Sequence, residues 1–171
     1  MNARNTLTAL MSAALALSPL AQAQEAGNPS EFTLVQFQDA TKGWSFARPG
    51  SWTPDPSFKD GVRFVGGDEA LEWRVVSSTQ TPAQYAGALK LGSGESKIGL
   101  KAFKQGSFSA QVRSSKLLGK SAVTGKPLGV LLDRWVFSPA PGKLALLSVQ
   151  GPDKVFDWEG NRDMALSFRL K

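Results

Sequence analysis

Turn-forming residues recur along this chain too closely to leave room for long helices. Gly43, Pro49-Gly50, Gly66-Gly67, Gly92, Gln105-Gly106, Pro141-Gly142 and Gly151-Pro152 cut residues 32–171 into strand-length segments, and turn chemistry of this density belongs between strands. Within the segments apolar side chains alternate, the period at which one face of a strand meets a core. Trp44 and Phe46 share a face with Ser45 opposite, and Leu71, Trp73 and Val75 share another after Gly66-Gly67, so Val62–Val65 and Leu71–Ser78 read as a hairpin. Ile98, Leu100 and Ala102 alternate with Lys97, Gly99 and Lys101. Phe108, Ala110 and Val112 alternate with Ser109, Gln111 and Arg113, which makes a second hairpin. Leu128–Phe137 and Leu144–Gln150, joined around Pro141-Gly142, are the most apolar pair and are expected at the centre of the sheet.

Two segments read as helix. Thr81-Pro82-Ala83-Gln84 supplies a threonine N-cap, proline at the first helical position and glutamine at the third, a capping box. Tyr85, Ala88 and Leu89 then share a helical face, and Gly92 is expected at the C-cap. A second helix is expected from Pro152, with Val155, Trp158 and Ala165/Leu166 at helical spacing and a break near Gly160. The predicted class is α+β: an antiparallel β-sheet flanked by helices, an α/β/α sandwich.

The first residues have a different character. Arg4 precedes an uncharged stretch, Asn5–Gln24, whose apolar heart is Leu7–Leu20, and Ala21-Gln22-Ala23 meets the small-residue rule of a signal peptidase. Ser12, Ser18 and Pro19 interrupt the run, which argues against a membrane anchor, and no cysteine is present to carry a lipid. The expectation is a signal peptide over 1–23, cleaved after Ala23, a flexible leader over 24–31, and one domain over 32–171 in a periplasmic or secreted protein.

The chain has no histidine and no cysteine. That excludes a Ser-His-Asp triad, an imidazole base, an HExxH zinc site, a thiol nucleophile and thiolate metal ligands. Carboxylate chemistry, Ser-Lys chemistry and binding remain. Ser115-Lys116, Ser121 with Lys120, and Asp68-Glu69 lack the flanking context of a catalytic motif, so no catalytic residue is assigned. Asp153, Asp157, Glu159 and Asp163 do not have the spacing of a calcium loop and suit a helix's first turn, so no metal site and no cofactor are assigned.

Charge placement is the most distinctive feature. From Lys90 to Lys126 eight basic side chains stand against the single acid Glu95, in a chain whose formal net charge is +6. Lys97, Lys101, Lys104, Arg113, Lys116 and Lys120 are the candidate binding face, with Lys97, Lys101 and Arg113 expected opposite Ile98, Leu100 and Val112. The plain alternative is a solvated face that aids solubility. The expected partner is an anionic envelope component or a protein; nucleic acid is not expected. A second reading is a small-molecule carrier with a pocket between sheet and helix near Trp52 and Tyr85.

The run Gly43-Trp44-Ser45-Phe46-Ala47-Arg48-Pro49-Gly50-Ser51-Trp52, followed by a Gly-Val-Arg-Phe strand and a Thr-Pro-capped helix containing Tyr85, resembles the opening of the PsbP-like family. Leu146-Leu147-Ser148-Val149 leading to Ser167-Phe168 resembles its close. The resemblance implies an α/β/α sandwich in an exported accessory or binding protein. The histidines associated with metal binding in photosynthetic members have no counterpart here, so the resemblance carries no metal role across.

Overall fold

The computed structural model of the chain describes residues 33–171, and the expected signal peptide and leader lie outside them. The alternating segments form β1 (Leu34–Asp39), β2 (Trp44–Pro49), β3 (Thr53–Pro54), β4 (Val62–Gly66), β5 (Glu69–Ser77), β6 (Ser96–Gln105), β7 (Phe108–Lys120), β8 (Pro127–Ala140), β9 (Lys143–Pro152) and β10 (Arg169–Leu170). Helix α1 is Pro82–Ala88 and helix α2 is Trp158–Ser167. Strands β3-β4-β5-β9-β8-β7-β6 make an antiparallel sheet in that order, and β1-β2-β10 make a smaller one. The most apolar pair of the sequence occupies the interior of the large sheet as expected, with β9 between β5 and β8.

Alternation divides β9 between two cores. Ala145, Leu147 and Val149 face the larger one, with Trp73, Trp135, Phe137, Phe46 and Phe64 and with Met164, Ala165 and Phe168 from α2 and its C-cap. Leu144 and Leu146 face the smaller one, with Val136 and with Tyr85, Ala86 and Leu89 from α1 and its C-cap. Trp73 stacks on Phe168 at 4.7 Å between centroids and meets Phe46 at 5.2 Å and Phe137 at 6.0 Å. Such pairs add about 0.5–1.5 kcal/mol each beyond the area they bury.

The α+β sandwich therefore holds in part: one helix lies on each face of the main sheet, but both are short, and the face carrying α2 is completed by a second sheet. The α1 capping box forms as read, with Gln84 N–H on Thr81 Oγ1 at 3.3 Å and Thr81 N–H on Gln84 Oε1 at 2.9 Å. The helix closes earlier than expected, at Leu89, whose N–H donates to the Tyr85 carbonyl; Gly92 lies in the following loop. The second helix begins later than expected, because β9 runs through Pro152 and Asp157 is the N-cap, accepting from Gly160 N–H at 3.0 Å. Gly160 starts this helix rather than breaking it. A Cβ there would stand 2.4 Å from Asp157 Oδ2 and displace the cap.

Gly61 enters β4 so close to β5 that a Cβ would fall 2.0 Å from the Trp73 carbonyl oxygen, whereas a Cβ on Gly87 in α1 meets nothing within 4 Å. Gly61→Ala is expected to destabilise by about 1–3 kcal/mol or more. Gly87→Ala is expected to stabilise by about 0.5–1 kcal/mol, so urea midpoints of the two variants should move in opposite directions.

Candidate functional site

Residues paired across neighbouring strands project to the same face of a sheet. One rung of the large sheet, followed through its register from β4 to β6, reads Arg63, Glu72, Ser148, Arg134, Arg113 and Leu100. This rung lies on the α1 side, where the short helix leaves much of the sheet uncovered.

Arg113 is not part of a solvent face. It is 4% exposed and donates through Nη1 to the Ala86 carbonyl at 3.2 Å and to the Leu89 carbonyl. The expectation failed because strand alternation identifies two faces without saying which is covered. Here α1 covers the face carrying Arg113, and the carbonyls at the helix end need donors. The register also separates Arg113 from Lys101: Leu100 pairs with Arg113 and Lys101 with Val112, on opposite faces, after an irregularity between Lys97 and Gly99.

Arg134 grips Glu95 with both terminal nitrogens, Nη2 at 2.9 Å from Oε2 and Nη1 on Oε1. Glu95 Oε2 also accepts from Gly92 N–H at 2.8 Å, so the pair fastens the loop after α1 to the sheet. The Arg134 guanidinium is the chief reason that the Glu95 carboxyl is held at about 2, against an ordinary 4.5. Beside this pair is an open basin of about 270 Å³ lined by Glu72, Arg74, Arg134, Ser148 and Gln150 with Leu146. Its charges are already matched, since Arg74 lies 3.1 Å from Glu72 and Arg63 3.6 Å from the same carboxylate.

The lysines differ. Lys97, Lys101, Lys104, Lys116 and Lys120 are all exposed, and among the described residues none forms an ion pair. Lys101, Lys116 and Lys120 share the face of Val112, while Lys97 and Lys104 pair with Ser115 and Ser109 on the other. They therefore surround an edge hairpin rather than line one face. Asp133 is the buried acid on the Val112 side; burial pushes its carboxyl up, and a hydrogen bond from Ser114 and the charge of Lys101 oppose that.

Trp52 and Tyr85 do not share a pocket. Trp52 is buried in the larger core and Tyr85 packs against the smaller one, on opposite faces of the sheet. The cavity beside Trp52 is about 20 Å³, room for a water rather than a carried ligand. Ser115 and Lys116, adjacent on β7, point to opposite faces, and Ser115 is fully buried. The Ser121 hydroxyl accepts from Val123 and Thr124 N–H at 3.2 and 2.9 Å and so builds a turn. Among the described residues no cluster of three acids stands within reach of one cation, and no helix is long and apolar enough to cross a membrane.

A seven-stranded antiparallel sheet with α2 and a small sheet on one face and α1 on the other is the PsbP-like fold. The chain is similar to cyanobacterial PsbP (CyanoP) from Synechocystis sp. PCC 6803, at 15% identity and a TM-score of 0.55 over 87% of this chain and 99% of that one. It is also similar to the Saccharomyces cerevisiae Ran-binding protein Mog1p, at 8% identity and 0.53 over 82% and 96%. LpqN of Mycobacterium tuberculosis, a protein involved in cell envelope biogenesis, matches at 13% and 0.50 over 81% and 91%. No protein-family model matches the chain, and no curated protein matches it in sequence.

Because the Glu95 carboxyl is depressed in the folded state, its stabilising contribution is complete above about pH 4.5 and is lost as pH falls through about 2. Glu95→Gln is expected to lower stability at pH 7 and to flatten the decline between those pH values, which denaturant titrations at several pH values will show.

Proposed function

We propose that this chain is an exported, non-enzymatic binding module that engages an anionic envelope partner through the lysines of the β6–β7 hairpin. One observation carries this reading: the fold uses its arginines internally and leaves these lysines free. Arg63, Arg74 and Arg134 face carboxylates, Arg162 faces Asp163, and Arg48, Arg113 and Arg169 are held by backbone carbonyls. Lys97, Lys101, Lys104, Lys116 and Lys120 meet no carboxylate within ion-pair distance, so their field extends into solvent. The same architecture in a Ran-binding protein and in a protein involved in cell envelope biogenesis supports a fold suited to binding work. Arg113 is not in the proposed surface, and no catalytic residue, metal or cofactor enters it.

Capture of an envelope component from the organism's own extract is expected at about 50 mM salt and to weaken strongly at about 200 mM, because screening shortens the reach of exposed charges. The Lys104→Glu, Lys116→Glu, Lys120→Glu variant should lose capture at the lower salt with an unchanged melting temperature. Capture that survives both the salt and the variant overturns the reading.

A further inference from the structure

The exposed hydrophobic side chains of the described residues are not scattered evenly. The two most exposed are Leu118, at 86%, and Val123, at 72%, and both belong to the end of the β7–β8 hairpin. Leu118 stands opposite Gly129, whose missing side chain leaves room on that face for the Asp153 carboxylate, and Val123 lies in the connecting turn. Lys116 and Lys120 flank Leu118 on its own face, and Lys126 closes the turn.

This end is firmly built. Ser121 N–H donates to the Lys126 carbonyl and Gly125 N–H to the Ser121 carbonyl, each at 2.8 Å. The Ser121 hydroxyl takes the Val123 and Thr124 N–H groups, and Asp68 from the β4–β5 turn accepts from Ala122 N–H at 2.5 Å. Backbone donors satisfied in this way fix the turn, so the two aliphatic side chains are held outward rather than left to collapse. The turn after β9 is tied to the same place by Asp153 N–H on the Gly129 carbonyl at 3.0 Å, and it brings Lys154 and the 62% exposed Val155. Two acids, Asp68, which accepts backbone N–H groups, and Asp153, stand here among four lysines.

We propose that the end of the β7–β8 hairpin docks on an anionic lipid bilayer, with Leu118 and Val123 entering the headgroup layer and Lys116, Lys120 and Lys126 meeting lipid phosphates. This rests on the reading that the lysines bind anions and names the partner. Residue chemistry favours lipid over protein: energetic centres of protein interfaces are enriched in Trp, Tyr and Arg and poor in Leu, Val and Lys. Aliphatic side chains on a projecting hairpin ringed by lysines supply the two components of binding at a bilayer surface, buried apolar area and attraction to anionic headgroups.

The test uses the protein with sedimented vesicles of phosphatidylcholine alone and of phosphatidylcholine with about 30 mol% phosphatidylglycerol, where each lysine at the surface is expected to contribute about fivefold in affinity. Binding should require the anionic lipid. Lys116→Gln and Lys120→Gln should each weaken it about fivefold. Leu118→Asp should weaken it at least about tenfold through lost apolar burial, without a change in melting temperature, since the side chain is already in water. Leu118→Trp should shift its emission to the blue on anionic vesicles only. Leu118→Asp that binds as tightly as the parent, or Leu118→Trp that binds without a blue shift, overturns docking while leaving the anion-binding reading standing. Absence of vesicle binding together with salt-sensitive capture of a protein also overturns docking, in favour of a protein partner. Lysine variants that bind vesicles and envelope extract unchanged bring down both.

Discussion

Trp73 is the side chain on which the two ends of the domain converge. Its ring touches Phe46 of β2, Phe137 of β8 and Phe168 at the end of α2, so the N-terminal hairpin, the middle of the large sheet and the C-terminal segment share one aromatic layer. Each of these contacts spans many residues of sequence. The small sheet meets the large one again where Phe37 of β1 and Phe46 of β2 pack on Phe64 of β4, at 5.1 and 6.3 Å between centroids. Burial of aromatic area, rather than strand pairing between the sheets, therefore holds the α2 face together.

With one face of the large sheet closed in this way, the other is left to a helix of about two turns. Polar side chains occupy what α1 does not cover, and the fold neutralises them among themselves: Glu72 serves Arg63 and Arg74, and Glu95 serves Arg134. The partly exposed Glu72 pairs fix geometry more than they stabilise, whereas the Glu95 carboxylate is nearly covered. These pairs also occupy Glu72 and Glu95, and none of the edge lysines has a carboxylate within ion-pair distance among the described residues.

How much of this was legible follows from the range of the forces involved. The central position of β8 and β9 could be read because their apolar runs are local. The α1 capping box could be read because Thr81 and Gln84 are three residues apart. The start of α2 was misread, since Asp157 is identified as the cap only by the bond it accepts from Gly160, and the sequence allows a start at Pro152 equally well. β10 was not read at all: two residues beside Ser45 and Trp44 have no pattern of their own. Of the candidate surface, the lysines are exposed, but their division between faces depends on a register irregularity at Lys97–Gly99 that no periodicity announces. Arg113 was placed in water because alternation cannot tell which face a helix from elsewhere in the chain will cover. The projecting pair Leu118 and Val123 was also invisible, since an apolar residue in a strand is read as core by default.

The bond from Arg113 to α1 gives the helix a property that its length alone would not. A free helix of seven residues is too short to persist in water, and its end frays easily. Here the final carbonyls hold a guanidinium that arises from the middle of β7 and has no carboxylate of its own. If α1 lifted away while the sheet stayed intact, its final carbonyls would lose this donor and Val136, Leu144 and Leu146 beneath it would meet water. The last turn of the helix is thus held by a side chain from 24 to 27 residues further along the chain, and not by the helix's own length.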